Sequence, residues 1–253
     1  MNHTTIISTW IDEPPLADGW AVIQDTQPVP RPSLWLVNPT YVHELLANRY
    51  NHILSGDEVT RAARFHQQTH QIRYKATHTV LRLLLASATG SAPAALHFVG
   101  GHHNKPSLPL YEGGTVRFNL SYTENKSLIG IADGDAIGVD IEWLNRPLAI
   151  EDMLTACFSA SEIDYITSRD EGTQSRFFTL WTRKEAILKL TGEGIGEHLP
   201  LFEVLDGTCV AKKEIIGGNP PDQIYLYSFR ICGDFLGCYA ASKPLDRLQI
   251  FKL

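Results

Sequence analysis

The run Ala-Ile-Gly-Val-Asp-Ile-Glu-Trp, residues 136–143, constrains this chain more than any other. A strand has a side-chain period of two, so Asp140 and Glu142 share one side and Ile137, Val139 and Ile141 the other. The apolar side asks for a core. The other side carries two carboxylates, and an apolar environment does not tolerate unpaired charge. Gly138 removes a side chain just before the pair and permits close approach of backbone or ligand. Two readings follow. One is the solvated face of an edge strand. The other is a hard-cation site, because paired carboxylates with few other protein ligands suit Mg²⁺ held against phosphate oxygens.

The rest of the chain supplies a mixed frame. The Pro-rich first 35 residues read as loops leading to a short strand at 34–38. Ser55 and Glu58 form a capping-box pattern at the head of a helix. The strongest helix carries Ile72, Ala76, Val80 and Leu83 to Leu85 on its apolar face and stops at Gly90. Strands are expected at 96–99, 116–120, 126–132 and 136–143. Two helices broken near Ser159 and a third ending at Gly192 come next, and then strand-like runs at 198–204, 223–230 and 235–241. Both parts follow a helix-then-sheet rhythm. The predicted class is α+β, with a boundary near residue 133 that divides the chain into 1–132 and 133–253.

A second stretch, Trp-Thr-Arg-Lys-Glu-Ala-Ile-Leu-Lys-Leu-Thr-Gly-Glu-Gly at 181–194, bears on the carboxylate pair. Glu185 and Lys189 are four apart and share a helix face, while Lys184 projects at a different angle. These residues form either a routine surface pair or a third carboxylate for Asp140 and Glu142, with Lys184 and Lys189 contacting phosphate. Arg61, Arg64, Arg73, Lys75 and Arg82 lie on the two early helices. They form either a solvated face or an anion patch, since arginine forks match phosphate oxygens.

Net charge of −6 argues against general nucleic-acid binding, which makes local basic clustering more informative. The four cysteines show no CxxC spacing and read as reduced thiols. No signal peptide is visible in Met-Asn-His-Thr-Thr, and no apolar run approaches the ~20 residues of a membrane helix, so a cytoplasmic protein is expected. Neither a Walker A loop nor a dinucleotide fingerprint is present. His66, His70 and His78, with His102 and His103, lack the companions of a zinc site and read as ordinary surface histidines.

Ile-Gly-Val-Asp-Ile-Glu, followed by Phe-Phe-Thr-Leu-Trp-Thr-Arg-Lys-Glu-Ala-Ile-Leu-Lys-Leu-Thr-Gly-Glu-Gly, resembles the signature of the 4'-phosphopantetheinyl transferases, in the surfactin-synthetase-activating type. Weaker pieces agree: Ser-Gly-Asp-Glu-Val-Thr-Arg from Ser55, Asn-Lys-Pro at 104–106, Phe-Asn-Leu-Ser-Tyr from Phe118 and Cys-Phe-Ser-Ala-Ser-Glu from Cys157. The match runs from about residue 55 to about 240. The resemblance implies a fold of two similar α/β halves in a pseudo-twofold arrangement, with the active site at their interface.

It also implies transfer of the 4'-phosphopantetheine arm of coenzyme A to a serine of an apo acyl, peptidyl or aryl carrier protein, releasing adenosine 3',5'-bisphosphate. Asp140, Glu142 and Glu185 would hold Mg²⁺. Lys184 and Lys189 would lie near the phosphates, with Lys189 stabilising the departing nucleotide. Arg73 would meet the 3'-phosphate, with Arg61 nearby, and Ser121 and Tyr122 fall where the family has Ser-His. Arg64 and Lys105 complete the expected coenzyme-binding set.

Glu185 is the favoured base for the serine, and Asp140 with a metal-bound water is the second candidate. Tyr122 carries no positive charge, so weaker discrimination for the 3'-phosphate is expected, or compensation by Arg64 or Lys105. Asn104 replaces a glycine, and His70 stands where an acidic residue is common. The carrier would dock on residues 101–106 and on those around Leu154 to Ser161, and the protein would act as a monomer. The alternatives are a Mg²⁺-dependent nucleotide phosphohydrolase and an inactive carrier- or nucleotide-binding protein.

Overall fold

The computed structural model describes residues 2–12, 14–24, 27–100, 105–109, 116–194 and 196–253. Asn104, His102 and His103 lie outside them, as do most of the expected docking residues at 101–106. The strands are β1 (His3–Ile11), β2 (Leu16–Asp18), β3 (Ser33–Val37), β4 (Val99–Gly100), β5 (Pro106–Ser107), β6 (Val116–Thr123), β7 (Lys126–Asp133), β8 (Ile137–Trp143), β9 (Gly207–Lys212), β10 (Gln223–Ile231), β11 (Phe235–Ala241) and β12 (Gln249–Lys252). The helices are α1 (Trp20–Ile23), α2 (Pro39–Leu46), α3 (Tyr50–Ile53), α4 (Gly56–Ala63), α5 (Gln68–Thr89), α6 (Glu151–Cys157), α7 (Ala160–Thr167), α8 (Thr173–Thr191) and α9 (Lys213–Ile216). The class is α+β, as expected.

Two five-stranded sheets carry the fold, in the orders β2-β12-β3-β7-β6 and β8-β11-β10-β1-β9. A cut at residue 132/133 does not separate them. β1 sits in the second sheet, parallel to β10 and antiparallel to β9. β12 sits in the first, parallel to β2 and β3. The expected loop character of the first 35 residues is therefore corrected at β1: Thr4, Ile6 and Ser8 are buried there, and β-branched alternation suits a half-buried strand. The expected strand at 198–204 is instead a 3-10 turn, Leu199–Leu201. Most of the strand expected at 96–99 is irregular, since β4 comprises Val99–Gly100 alone.

The long helices cover the sheets: α5 packs on α2 and against β6 and β7, and α8 lies across β8 and β11. Each long helix is locked by a buried cation. Arg82 on α5 donates from Nε to Glu58 at 2.6 Å, and from an Nη to Pro93 O at 2.7 Å and Leu96 O at 3.1 Å. Lys184 on α8 pairs with Glu162 at 2.8 Å and donates to Leu199 O and Phe202 O, each at 2.6 Å. Glu58 and Glu162 are the N3 residues of capping boxes closed by Ser55 and Ser159. Phe98 lies under Arg82, and Phe202 under Lys184. Every charge in these locks has a counter-charge or several carbonyls, the condition for burying an ion.

Candidate active site

β8 is an edge strand of its sheet, as the solvated reading of Asp140 and Glu142 requires, yet its edge is not open. Val139 N donates to Asn119 Oδ1 at 2.8 Å and Trp143 N to Thr123 Oγ1 at 3.1 Å. Asn119, Ser121 and Thr123 alternate along β6, so one face of that strand satisfies the free amides of β8. Val139 and Ile141 enter the apolar core with Leu34, Leu36 and Leu128. Asp140 is 4 % exposed. The carboxylate side of β8 faces α8, and Gly138 lets the two elements touch: a Cβ there would stand 1.9 Å from Ala186 O.

Glu185 and Lys189 project from α8 into this contact. The Lys189 ammonium donates to Asp140 Oδ1 at 2.6 Å and to Ser121 Oγ at 2.9 Å. The Ser121 hydroxyl in turn donates to Asp140 Oδ1 at 2.7 Å. Glu142 accepts from Trp181 Nε1 at 3.2 Å and pairs with Arg146 at 3.4 Å. Burial, with the Asp140 charge next, pushes the Glu185 carboxyl up to about 7; Lys189 pulls it down and Glu142 adds a further rise. Burial and then Asp140 also push Glu142 up, against Arg146, Trp181 and Lys189. Three carboxylates thus crowd one ammonium, with Arg146 and Trp181 serving Glu142.

Asp140 Oδ2 and Glu185 Oε1 are buried without a hydrogen-bond partner. Unsatisfied carboxylate oxygens beside a third carboxylate are a donor set that fits a hard divalent cation. As the side chains stand, no group of three His, Cys, Asp or Glu among the described residues encloses a metal position.

A cavity of about 260 Å³ opens beside Glu185 and Lys189, lined also by Lys105, Pro106, Phe118 and Leu120. A second, of about 390 Å³, shares Pro106 and Leu120 with it and reaches Arg61, Tyr74, His78 and Tyr122. Arg61 lies over the Tyr74 ring. Burial pushes the Tyr122 hydroxyl up, while the charges of Arg61 and Arg73 pull it down, so these three expected residues are neighbours. Arg73 also donates to Glu124 O at 2.9 Å.

Two expected ligand contacts are corrected. Lys184 spends its three N–H donors on Glu162, Leu199 and Phe202 and has none for a phosphate. Arg82, part of the expected anion patch, is committed to Glu58. Arg64 is the exposed C-cap of α4, and neither cavity is lined by it. Lys105 lines the first cavity but donates to Ile137 O, Lys189 O and Leu190 O. His78 is not a surface histidine: its Nδ1 lies 2.8 Å from Glu58 Oε1. Asn119 and Thr123 are neighbours of the site that spacing did not single out, although their signal, a period-two polar face on β6, is present in the letters.

A profile of the 4'-phosphopantetheinyl transferase superfamily matches residues 136–237. The chain is 35 % identical to the 4'-phosphopantetheinyl transferase HetI of Nostoc sp. over 162 residues, covering 63 % of this chain and 68 % of HetI. It is 24 % identical to the 4'-phosphopantetheinyl transferase Sfp of Bacillus subtilis over 157 residues, covering 62 % of this chain and 68 % of Sfp.

Proposed function

This chain belongs to the 4'-phosphopantetheinyl transferase superfamily, and from that premise we propose that its carboxylate cleft moves the 4'-phosphopantetheine arm of coenzyme A onto a serine of an apo carrier protein. The observation that carries this reading is the pair of orphaned oxygens, Asp140 Oδ2 and Glu185 Oε1, beside Lys189 and an open cavity. The carrier serine attacks the β-phosphorus, and the bond to the bridging oxygen breaks. The arm joins the serine, and adenosine 3',5'-bisphosphate leaves.

Asp140, Glu142 and Glu185 would hold Mg²⁺, which when bound withdraws charge from the pyrophosphate. Glu185 takes the serine proton, directly or through a water, and combines that role with metal contact. Lys189 carries positive charge to the departing phosphate. Ser121 orients Asp140 and Lys189. Arg61 and Tyr122 line the end of the second cavity that takes the nucleotide's 3'-phosphate, with the charge of Arg73 near Tyr122.

The two sheets support a reading as similar halves about a pseudo-twofold. From β6 and from β8, each runs antiparallel, antiparallel, then parallel to a strand from the opposite chain end. The Glu58–Arg82 and Glu162–Lys184 locks occupy matching places in the two. The active site then lies at the seam of β6 and β8. The protein acts as a monomer, and no described helix is long and apolar enough to cross a membrane.

Incubation with coenzyme A, Mg²⁺ and apo carrier proteins tests the function. An intact-mass gain of about 340 Da on the carrier is expected, the arm being the group that coenzyme A carries. Loss of coenzyme A with no change in the carrier would replace the transferase by a phosphohydrolase.

A further inference from the structure

Lys105 lines the candidate cavity, but its ammonium is spent on backbone carbonyls. Its ammonium donates to Ile137 O at 3.2 Å, to Leu190 O at 3.3 Å and to Lys189 O. An ammonium has three donors, and all three are used. The acceptors sit at two meaningful places. Lys189 and Leu190 belong to the last turn of α8, before the left-handed Gly192 cap, where carbonyls have no helical partner and a cation is favoured. Ile137 is the first residue of β8, one position before Gly138. Lys105 immediately precedes β5, which pairs with β4.

We propose that Lys105 is a positioning residue: it staples the last turn of α8 to the first residue of β8, and so holds the Lys189 ammonium against Asp140 and Ser121. The two stapled elements carry both partners of that contact. Gly138 sets how close they approach, and Lys105 sets where along α8 the approach occurs. Lys105 therefore acts through Lys189 rather than on the coenzyme. The proposal rests on the transferase reading for its kinetic consequences but not for its geometry.

Lys105→Met removes the donors and keeps the length. Transfer by this variant should show kcat lowered about 10- to 100-fold, the scale of a small misplacement of a reacting group, with KM for coenzyme A within about twofold of wild type on the same argument. In a Lys189→Met background the same change should add almost nothing, because residues acting as a unit are non-additive.

A raised KM with unchanged kcat, or full additivity, would overturn the proposal and make Lys105 a ligand contact. Unchanged kinetics would make it a bystander. If Lys105→Met does not fold, Lys105→Gln, which keeps two donors, is expected to show the same kcat-selective loss in milder form. Absence of transfer in the wild-type protein would count against the function alone. The geometry is then read in 13Cε-lysine-labelled protein without ligand: the Lys189 signal, assigned with Lys189→Arg, should move in Lys105→Met, and a fixed signal would refute the staple.

Discussion

Gly138 and Ala186 are in backbone contact: a Cβ on Gly138 would lie 1.9 Å from Ala186 O and 2.6 Å from Leu190 N. Both obstructing atoms are main chain and cannot rotate away. Gly138→Ala must push β8 off α8, and with it Asp140 off Lys189. Overpacking costs about 1–3 kcal/mol where side chains can adjust, and this position lies at or above the upper end. Denaturant unfolding should show that loss, and the protein still folded should transfer the arm far more slowly than wild type. Wild-type behaviour in both assays would contradict this seating of the strand.

Glu58 predicts an acid limb in stability. Burial alone would push its carboxyl up, but hydrogen bonds from His78 and Ser55 and the charges of His78 and Arg82 outweigh burial and leave it lowered. The unfolded chain then binds the proton more readily. The stabilisation is fully present above the ordinary value of 4.5 and is lost as pH falls through the lowered folded value. Glu58→Gln should be less stable than wild type at neutral pH and should lose less on acidification. Chemical unfolding at stepped pH measures both, and parallel pH curves would exclude Glu58 as the source. Glu58→Ala, which strands Arg82, should cost roughly 3–5 kcal/mol.

Much of the site was legible because it is local. The period of two placed Asp140 and Glu142 together, and the period of 3.6 placed Glu185 with Lys189. Ser55 and Glu58 announced their capping box at the correct residue. Lys184 was misread because spacing gives an angle around a helix but not which angle faces the cleft. Its true partner, Glu162, lies on α7, and the Ser159 segment that presents it was read as a helix break and a family motif but not as a capping box. β1 was misread for a related reason. Its partners lie some two hundred residues away, so nothing near Ile6 reveals that it enters the second sheet between β10 and β9. The same long-range exchange hides the true boundary between the sheets.

Tyr122 predicts weak discrimination at the nucleotide's far end. Of the two residues expected to compensate, Lys105 is held by carbonyls, and Arg64 is exposed at the end of α4. Among the described residues, the cations acting on Tyr122 are Arg61 and Arg73, with the Glu58 carboxylate opposing them. Its hydroxyl donates one hydrogen bond and carries no positive charge. The ratio of kcat/KM for coenzyme A over its 3'-dephospho form should be modest, and Tyr122→His should raise it. A large wild-type ratio that Tyr122→His leaves unchanged would show that the 3'-phosphate is read by other residues.

Glu185→Gln separates chemistry from binding. The amide keeps the size of the side chain but can neither take a proton nor offer a second anionic oxygen. Arg61 and Tyr122, which line the second cavity, are untouched. Transfer should fall by at least about 100-fold, the lower range for loss of a general base, while coenzyme A still binds measurably by calorimetry. Mg²⁺ should also bind more weakly, since one of three carboxylates is gone. Near-normal transfer would remove Glu185 from catalysis and leave Asp140, through a water, as the base. Asp140→Asn then decides that second case. It also breaks the 2.6 Å pair with Lys189, so its loss should exceed that of Glu185→Gln only if Asp140 does more than hold the metal.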